Sequence, residues 1–214
     1  MDIAISVQNV SKSFGEETVL FDVNRDFEEG KIHGIVGNNG SGKTVLMKCI
    51  CGFLLPSKGK VLVNGKQVGK DCDFPEDMGI IIETPGFLPS LTGVKNLQIL
   101  ASLKRKIGRD TIWKTIERVG LDPKMKKTVS KYSLGMRQRL GIAQAIMENP
   151  SILILDEPFN GLDKNGVAHM RELIKGLRGE GKTIILASHN QVDIDELCDT
   201  VCDMDGGVMR VVRE

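Results

Sequence analysis

The sequence predicts an α/β protein built on a mostly parallel sheet, with strands and helices in alternation. Three stretches carry that prediction. Ile152-Leu153-Ile154-Leu155 is apolar at every position, the pattern of a strand covered on both faces, as in parallel sheets. Lys31–Val36 reads as a strand that ends at Gly37, and Val45, Leu46, Cys49 and Ile50 then fall at helix spacing over Thr44–Gly52. Beyond these, a helix over about 164–178, a strand at Thr183–Ala187 and a helix near 191–198 repeat the alternation.

The remaining elements follow in chain order. Ile3, Ile5 and Val7 alternate with polar residues, and Val19–Phe27 is a second extended run that turns at Glu29-Gly30. Together they suggest an N-terminal antiparallel β subdomain. Asn64-Gly65 sits between Lys60–Val63 and Val68, a strong signal for a tight hairpin. From Leu88 to Asn149 the pattern is mostly helical, broken by Gly93, Gly108, Gly120 and Pro123. Val201–Val212 around Gly206-Gly207 reads as a closing hairpin. The expectation is one domain over residues 1–214, with the β and core parts at 1–85 and 150–214 and a helical insertion at about 86–149.

Composition narrows the function. The chain has 214 residues, 41% hydrophobic and 27% charged, with a net charge of +1, so neither a disordered chain nor an electrostatic nucleic-acid binder is indicated. Seven Phe, one Trp and one Tyr are few for a base-stacking platform. Cys49, Cys51, Cys72, Cys198 and Cys202 form no CxxC pair and no zinc spacing, which suits small buried hydrophobes in a reducing compartment. His33, His169 and His189 are scattered and suggest no metal cluster. No apolar run approaches the roughly 20 residues that span a bilayer, and no signal-peptide pattern opens the chain. A cytoplasmic protein is expected.

Gly37-Asn38-Asn39-Gly40-Ser41-Gly42-Lys43-Thr44 matches the phosphate-binding pattern G-x-x-x-x-G-K-[ST] and lies between a predicted strand and a predicted helix. Its glycines let the backbone curl so that N–H groups point at phosphate oxygens, at the positive end of the helix that follows. Lys43 can reach the β- and γ-phosphates, and the Thr44 hydroxyl can join the shell of Mg²⁺. The spacing is not the G-x-G-x-x-G of dinucleotide folds. No Asn-Lys-x-Asp is present to read guanine. The fold class is therefore a P-loop NTPase core.

The apolar strand ends in Asp156-Glu157-Pro158, where open α/β sheets place ligands. Asp156 suits hydrated Mg²⁺, which takes only one or two carboxylates. That leaves Glu157 free to act as general base on water. His189 follows the strand ending at Ala187-Ser188 and could reach the γ-phosphate or the water of Glu157.

In this order the motifs resemble those of the ATP-binding subunit of ABC transporters, over essentially the whole chain. Residues 37–44 resemble that family's Walker A, Ile152–Glu157 its Walker B, Asn160-Gly161-Leu162-Asp163 its D-loop and Ser188-His189 its switch histidine. Phe14 falls where the family carries an aromatic that stacks on adenine. Tyr132-Ser133-Leu134-Gly135-Met136 resembles the signature Leu-Ser-Gly-Gly-Gln, with Ser133 and Gly135 retained. As an isolated string it could be an N-capped helix start. Residue 83, usually Gln and in touch with Mg²⁺, is Glu83 here, which could still offer an oxygen to the metal. The extra carboxylate suggests repulsion near the phosphates and a steep magnesium dependence.

The resemblance implies ATP and Mg²⁺ as ligands. It also implies two ATPs sandwiched between two copies or paralogues, with Ser133 and Gly135 acting in trans. The implied partner is a membrane-spanning permease, docked near residues 84–100 at the inner face of the membrane, with Phe87 and Leu88 as candidates. The Glu83 and Tyr132–Met136 variants are similar to bacitracin-resistance and lantibiotic-immunity exporters. A soluble relative acting on DNA or ribosomes is the competing reading. The roughly 110 residues between the Walker motifs lack the sustained heptads of chromosome-maintenance relatives. Translation-factor relatives generally carry two ATPase units in one chain, and one is found here.

Overall fold

A computed structural model describes residues 2–83 and 86–214. Strands β1 (Ile3–Phe14) and β2 (Glu17–Glu28) pair antiparallel, and β1 also pairs with β4 (Lys58–Val63). With β5 (Lys66–Gln67) they form a four-stranded antiparallel sheet in the order β2-β1-β4-β5. The β4–β5 turn has Asn64 and Gly65 at φ 48° and 75°, the left-handed pair that a type I′ turn requires.

The second sheet runs β10-β9-β3-β8-β7-β6. Its parallel strands are β3 (Ile32–Val36), β6 (Met78–Ile81), β7 (Ile152–Asp156), β8 (Thr183–Ala187) and β9 (Thr200–Asp205), and β10 (Val208–Arg213) closes one edge antiparallel. Two apolar clusters cover its faces. Ile152 and Ile154 belong to the one that holds Phe27, Ile35, Leu46 and Ile50. Leu153 and Leu155 belong to the other, with Leu140, Met170 and Leu186. This division is why β7 is apolar at consecutive positions.

Helices α1 (Lys43–Ile50), α2 (Gly93–Lys104), α3 (Arg109–Arg118), α4 (Leu134–Ile146), α5 (Lys164–Gly179) and α6 (Gln191–Leu197) complete the architecture. Thr92, Ser133 and Asp163 cap α2, α4 and α5 by accepting N–H bonds from Lys95, Met136 and Gly166. Among the described residues no helix is long and apolar enough to cross a membrane.

One strand escaped the sequence reading. β6 is four residues long and contains Gly79, which weakens any strand pattern. A Cβ at Gly79 would run into the Ala145 backbone carbonyl, so glycine is what lets α4 lie against the sheet. Leu140, Ala143 and Ala145 of α4 share one core with Leu153 and Leu155 of β7. The end of the helical segment is thereby built into the sheet's own packing.

All five cysteines are free, and Cys49, Cys51, Cys198 and Cys202 are buried. Burial pushes the Cys49 thiol up to about 11 and those of Cys51 and Cys198 up to about 12. His33 is also buried. Its ring nitrogens lie 2.8 Å from Thr200 Oγ1 and 2.9 Å from the Glu28 carbonyl. Burial holds its pKa below the usual histidine range, which gives it a structural place in the sheet.

Candidate active site

The turn between β3 and α1 is shaped by three left-handed glycines, Gly37 (φ 143°), Gly40 (φ 81°) and Gly42 (φ 107°). A side chain on Gly37 would strike the Met204 carbonyl, and one on Gly42 would come 2.9 Å from Leu20 Cδ2. Lys43 is nearly buried and folds back over the turn, donating to the carbonyls of Gly37 (2.6 Å) and Asn38 (2.9 Å). Ser41 Oγ is buried without a partner.

This loop forms one wall of a cleft of about 600 Å³ that also takes in Asn39, Glu83, Leu134, Gln138, Asp156 and Glu157. Thr44 Oγ1 donates to Asp156 Oδ2 at 2.8 Å, joining the first turn of α1 to the end of β7. Burial pushes the Asp156 carboxyl up, the Thr44 hydrogen bond and Lys43 pull it down, and the charges of Glu157 and Glu83 add repulsion. Thr44 and Asp156 are hard oxygen donors side by side in a cleft with excess negative charge, and this set fits Mg²⁺. Among the described residues no three His, Cys, Asp or Glu side chains gather as a metal cluster.

Glu157 has an unusual backbone, at φ 50°, a conformation that costs a residue with a side chain about 1–3 kcal/mol. Its N–H donates to the Ala187 carbonyl at 2.9 Å, and its own carbonyl accepts from Gln138 Nε2 at 3.2 Å. Oε2 lies 2.9 Å from His189 Nδ1, while Oε1 is buried without a partner. Glu157 also lines an adjoining recess of about 310 Å³ with Asn38, Asn39, Asn160 and His189. The histidine thus orients the carboxylate through one of its oxygens.

Not every expected residue joins this cleft. Phe14 stands 47% exposed at the β1–β2 hairpin with Lys12 Nζ 5.1 Å from its ring centre, and Glu17 and Val19 line the cleft in its stead. Ser133 and Gly135 do not line it either, although their neighbour Leu134 does. Gly135 packs instead on the D-loop backbone, where a Cβ would come 2.6 Å from the Gly161 carbonyl. Tyr132, in the place of the signature's Leu, is buried. Glu83 does line the cleft, but its carboxylate is held by Lys48 Nζ at 2.6 Å. The unneutralised charge expected from sequence is therefore partly cancelled, because α1 supplies a cation. Lys48 and Gln138 were missed. A signal for Lys48 was available, as the one charged residue within the apolar run Val45–Ile50.

A family model described as ABC transporter matches residues 20–160. An uncharacterized ABC transporter ATP-binding protein, YybJ of Bacillus subtilis, is 43% identical over 203 residues, covering 95% of this chain and 93% of its own. The bacitracin transport ATP-binding protein BcrA of Enterococcus faecalis is 42% identical over 209 residues, covering 97% and 68%. The lantibiotic transport ATP-binding protein SrtF of Streptococcus pyogenes is 35% identical over 197 residues, covering 92% and 85%. Among solved structures, the dimeric MJ0796, a bacterial ABC transporter cassette, superposes with a TM-score of 0.87 at 24% identity, covering 98% and 99%. That last likeness is one of fold.

Proposed function

We propose that this chain, which belongs to the ABC transporter family as an ATP-binding and ATP-hydrolysing subunit, powers export of an antimicrobial peptide through a separate permease at the cytoplasmic face of the membrane. The observation that carries the cargo is the pair of relatives that transport bacitracin and a lantibiotic, each matched over more than nine-tenths of this chain. The test is deletion of the gene in the source organism, followed by titration with bacitracin and with a lantibiotic. Sensitivity to at least one should rise, and wild-type chain but not Lys43→Ala should restore resistance. Unchanged sensitivity to both peptide classes would sink the cargo assignment.

In this reading the 37–44 loop and Lys43 cradle the ATP phosphates, and Phe14 stacks on adenine. Thr44 and Asp156 would hold Mg²⁺, whose charge offsets that of the phosphate oxygens. Glu157 takes the proton of the attacking water, with His189 keeping its carboxylate in place. Ser133 and Gly135 serve the nucleotide of a second copy or a paralogue. Their position outside this chain's own phosphate cleft supports that assignment.

The permease would dock on a second cleft of about 430 Å³ at the β6 edge, where Phe53, Ile82, Gly86, Leu100 and Leu103 meet. Thr84 and Pro85, within the segment singled out from sequence, lie outside the described residues. Leu88 is exposed and Phe87 is packed against the core.

Glu83 belongs to this proposal as an auxiliary metal-facing carboxylate restrained by Lys48. Lys48→Met frees it. The Mg²⁺ concentration for half-maximal ATPase activity should then fall about two- to fivefold, matching the ~0.5–1 kcal/mol of a partly exposed ion pair. An unmoved titration would remove Glu83 from the metal's surroundings.

A further inference from the structure

We propose that Gln138 is a positioning residue for Glu157, and that it ties the base of one ATP site to the signature segment serving the other. This rests on the reading of Glu157 as general base and of Ser133 and Gly135 as acting in trans. A left-handed backbone at a residue with a side chain persists only where its surroundings hold it. Three contacts hold Glu157: its N–H on the Ala187 carbonyl, and its carbonyl accepting from the Asn160 N–H (3.2 Å) and from Gln138 Nε2 (3.2 Å). Ala187 and Asn160 belong to the sheet and to the loop that follows β7. Gln138 comes from α4, and it is a buried side chain, 7% exposed, directed at that carbonyl.

Gln138 lies five residues after Ser133, the N-cap of the helix that carries it. Rotamer freedom at a buried Gln is small, so a displacement of the helix start reaches the Glu157 carbonyl through Nε2. Without that donor the Glu157 peptide can relax toward the ordinary right-handed region. Its side chain then turns away from His189 Nδ1 and from the place where water must sit. Turnover at one site thereby depends on how the signature segment of the same chain is engaged at the other.

Two near-isosteric variants test this. Gln138→Met has no donor. Gln138→Glu has none when ionised and regains one when protonated. With Gln138→Met, kcat should fall about ten- to a hundredfold, the scale of a misplaced catalytic group. KM, nucleotide affinity measured by fluorescence titration without metal, and melting temperature should all stay near wild type. Gln138→Glu should be as slow at pH 8 and gain on Gln138→Met as the pH is lowered toward 6.

Added to Glu157→Gln, the Met substitution should change residual turnover by less than about twofold, because the group it positions is gone. Wild-type kcat in Gln138→Met would overturn the proposal. So would a loss of nucleotide affinity and stability in step with kcat, or a further loss in the Glu157→Gln background. Wild-type turnover by Glu157→Gln alone would instead defeat the assignment of the base.

Discussion

Glu157→Gln should stop ATP turnover and leave ATP binding intact. The loss expected in kcat is about 10²–10⁴-fold, the usual contribution of a general base. The amide is nearly isosteric and can keep a hydrogen bond at His189 Nδ1, 2.9 Å from the native oxygen. What it lacks is a carboxylate able to take the water's proton. With Mg-ATP the variant should double its mass in solution by light scattering, since binding closes the dimer and hydrolysis no longer opens it. Adding Ser133→Arg should return it to monomer by filling the signature where the second copy's nucleotide sits. Phosphate release at the wild-type rate would refute the base. A monomer that binds ATP tightly would identify the partner as a paralogue.

Gly79→Val should strongly destabilise the protein. The added Cβ has the Ala145 carbonyl on one side and Leu153 Cδ2, 2.8 Å away, on the other. Neither a helix backbone nor a core leucine can retreat without opening the packing. Overpacking at such a site costs about 3 kcal/mol, the upper part of the usual range. In a chain of this size that lowers the melting temperature by about 6–12 °C. Circular dichroism melts of wild type and variant decide the point, and an unchanged midpoint would mean that α4 does not seat on β6 as described.

Gly79 also marks where sequence reading stops. The uniformly apolar β7 was legible because its neighbours cover both faces. The Asn64-Gly65 turn was legible because its conformation demands those residues, and the 37–44 loop because phosphate geometry dictates its glycines. β6 was not, since four residues with a central glycine carry little periodicity and their pairing with β7 crosses the whole helical segment. Within the site, Thr44 was assigned from the 37–44 loop and Asp156, Glu157 and His189 from strand ends, and the structure brings them together. The left-handed Glu157 was invisible because nothing in a glutamate announces a positive φ. The Lys48–Glu83 and Gln138–Glu157 contacts join residues 35 and 19 positions apart, and only the fold shows which such pairs meet.

The seating of α4 on Gly79 has a mechanical consequence. Thirteen residues of helix make a strut about 20 Å long. One end is the signature and the other is set, backbone on backbone, against the strand that borders the second cleft. A contact of that kind has no compliant side chain in it and therefore no backlash. A push delivered at the sheet edge is felt at the signature as displacement, with little absorbed along the way. Inserting even one methyl group at residue 79 would put play into the linkage, and the motor would burn ATP out of step with its load.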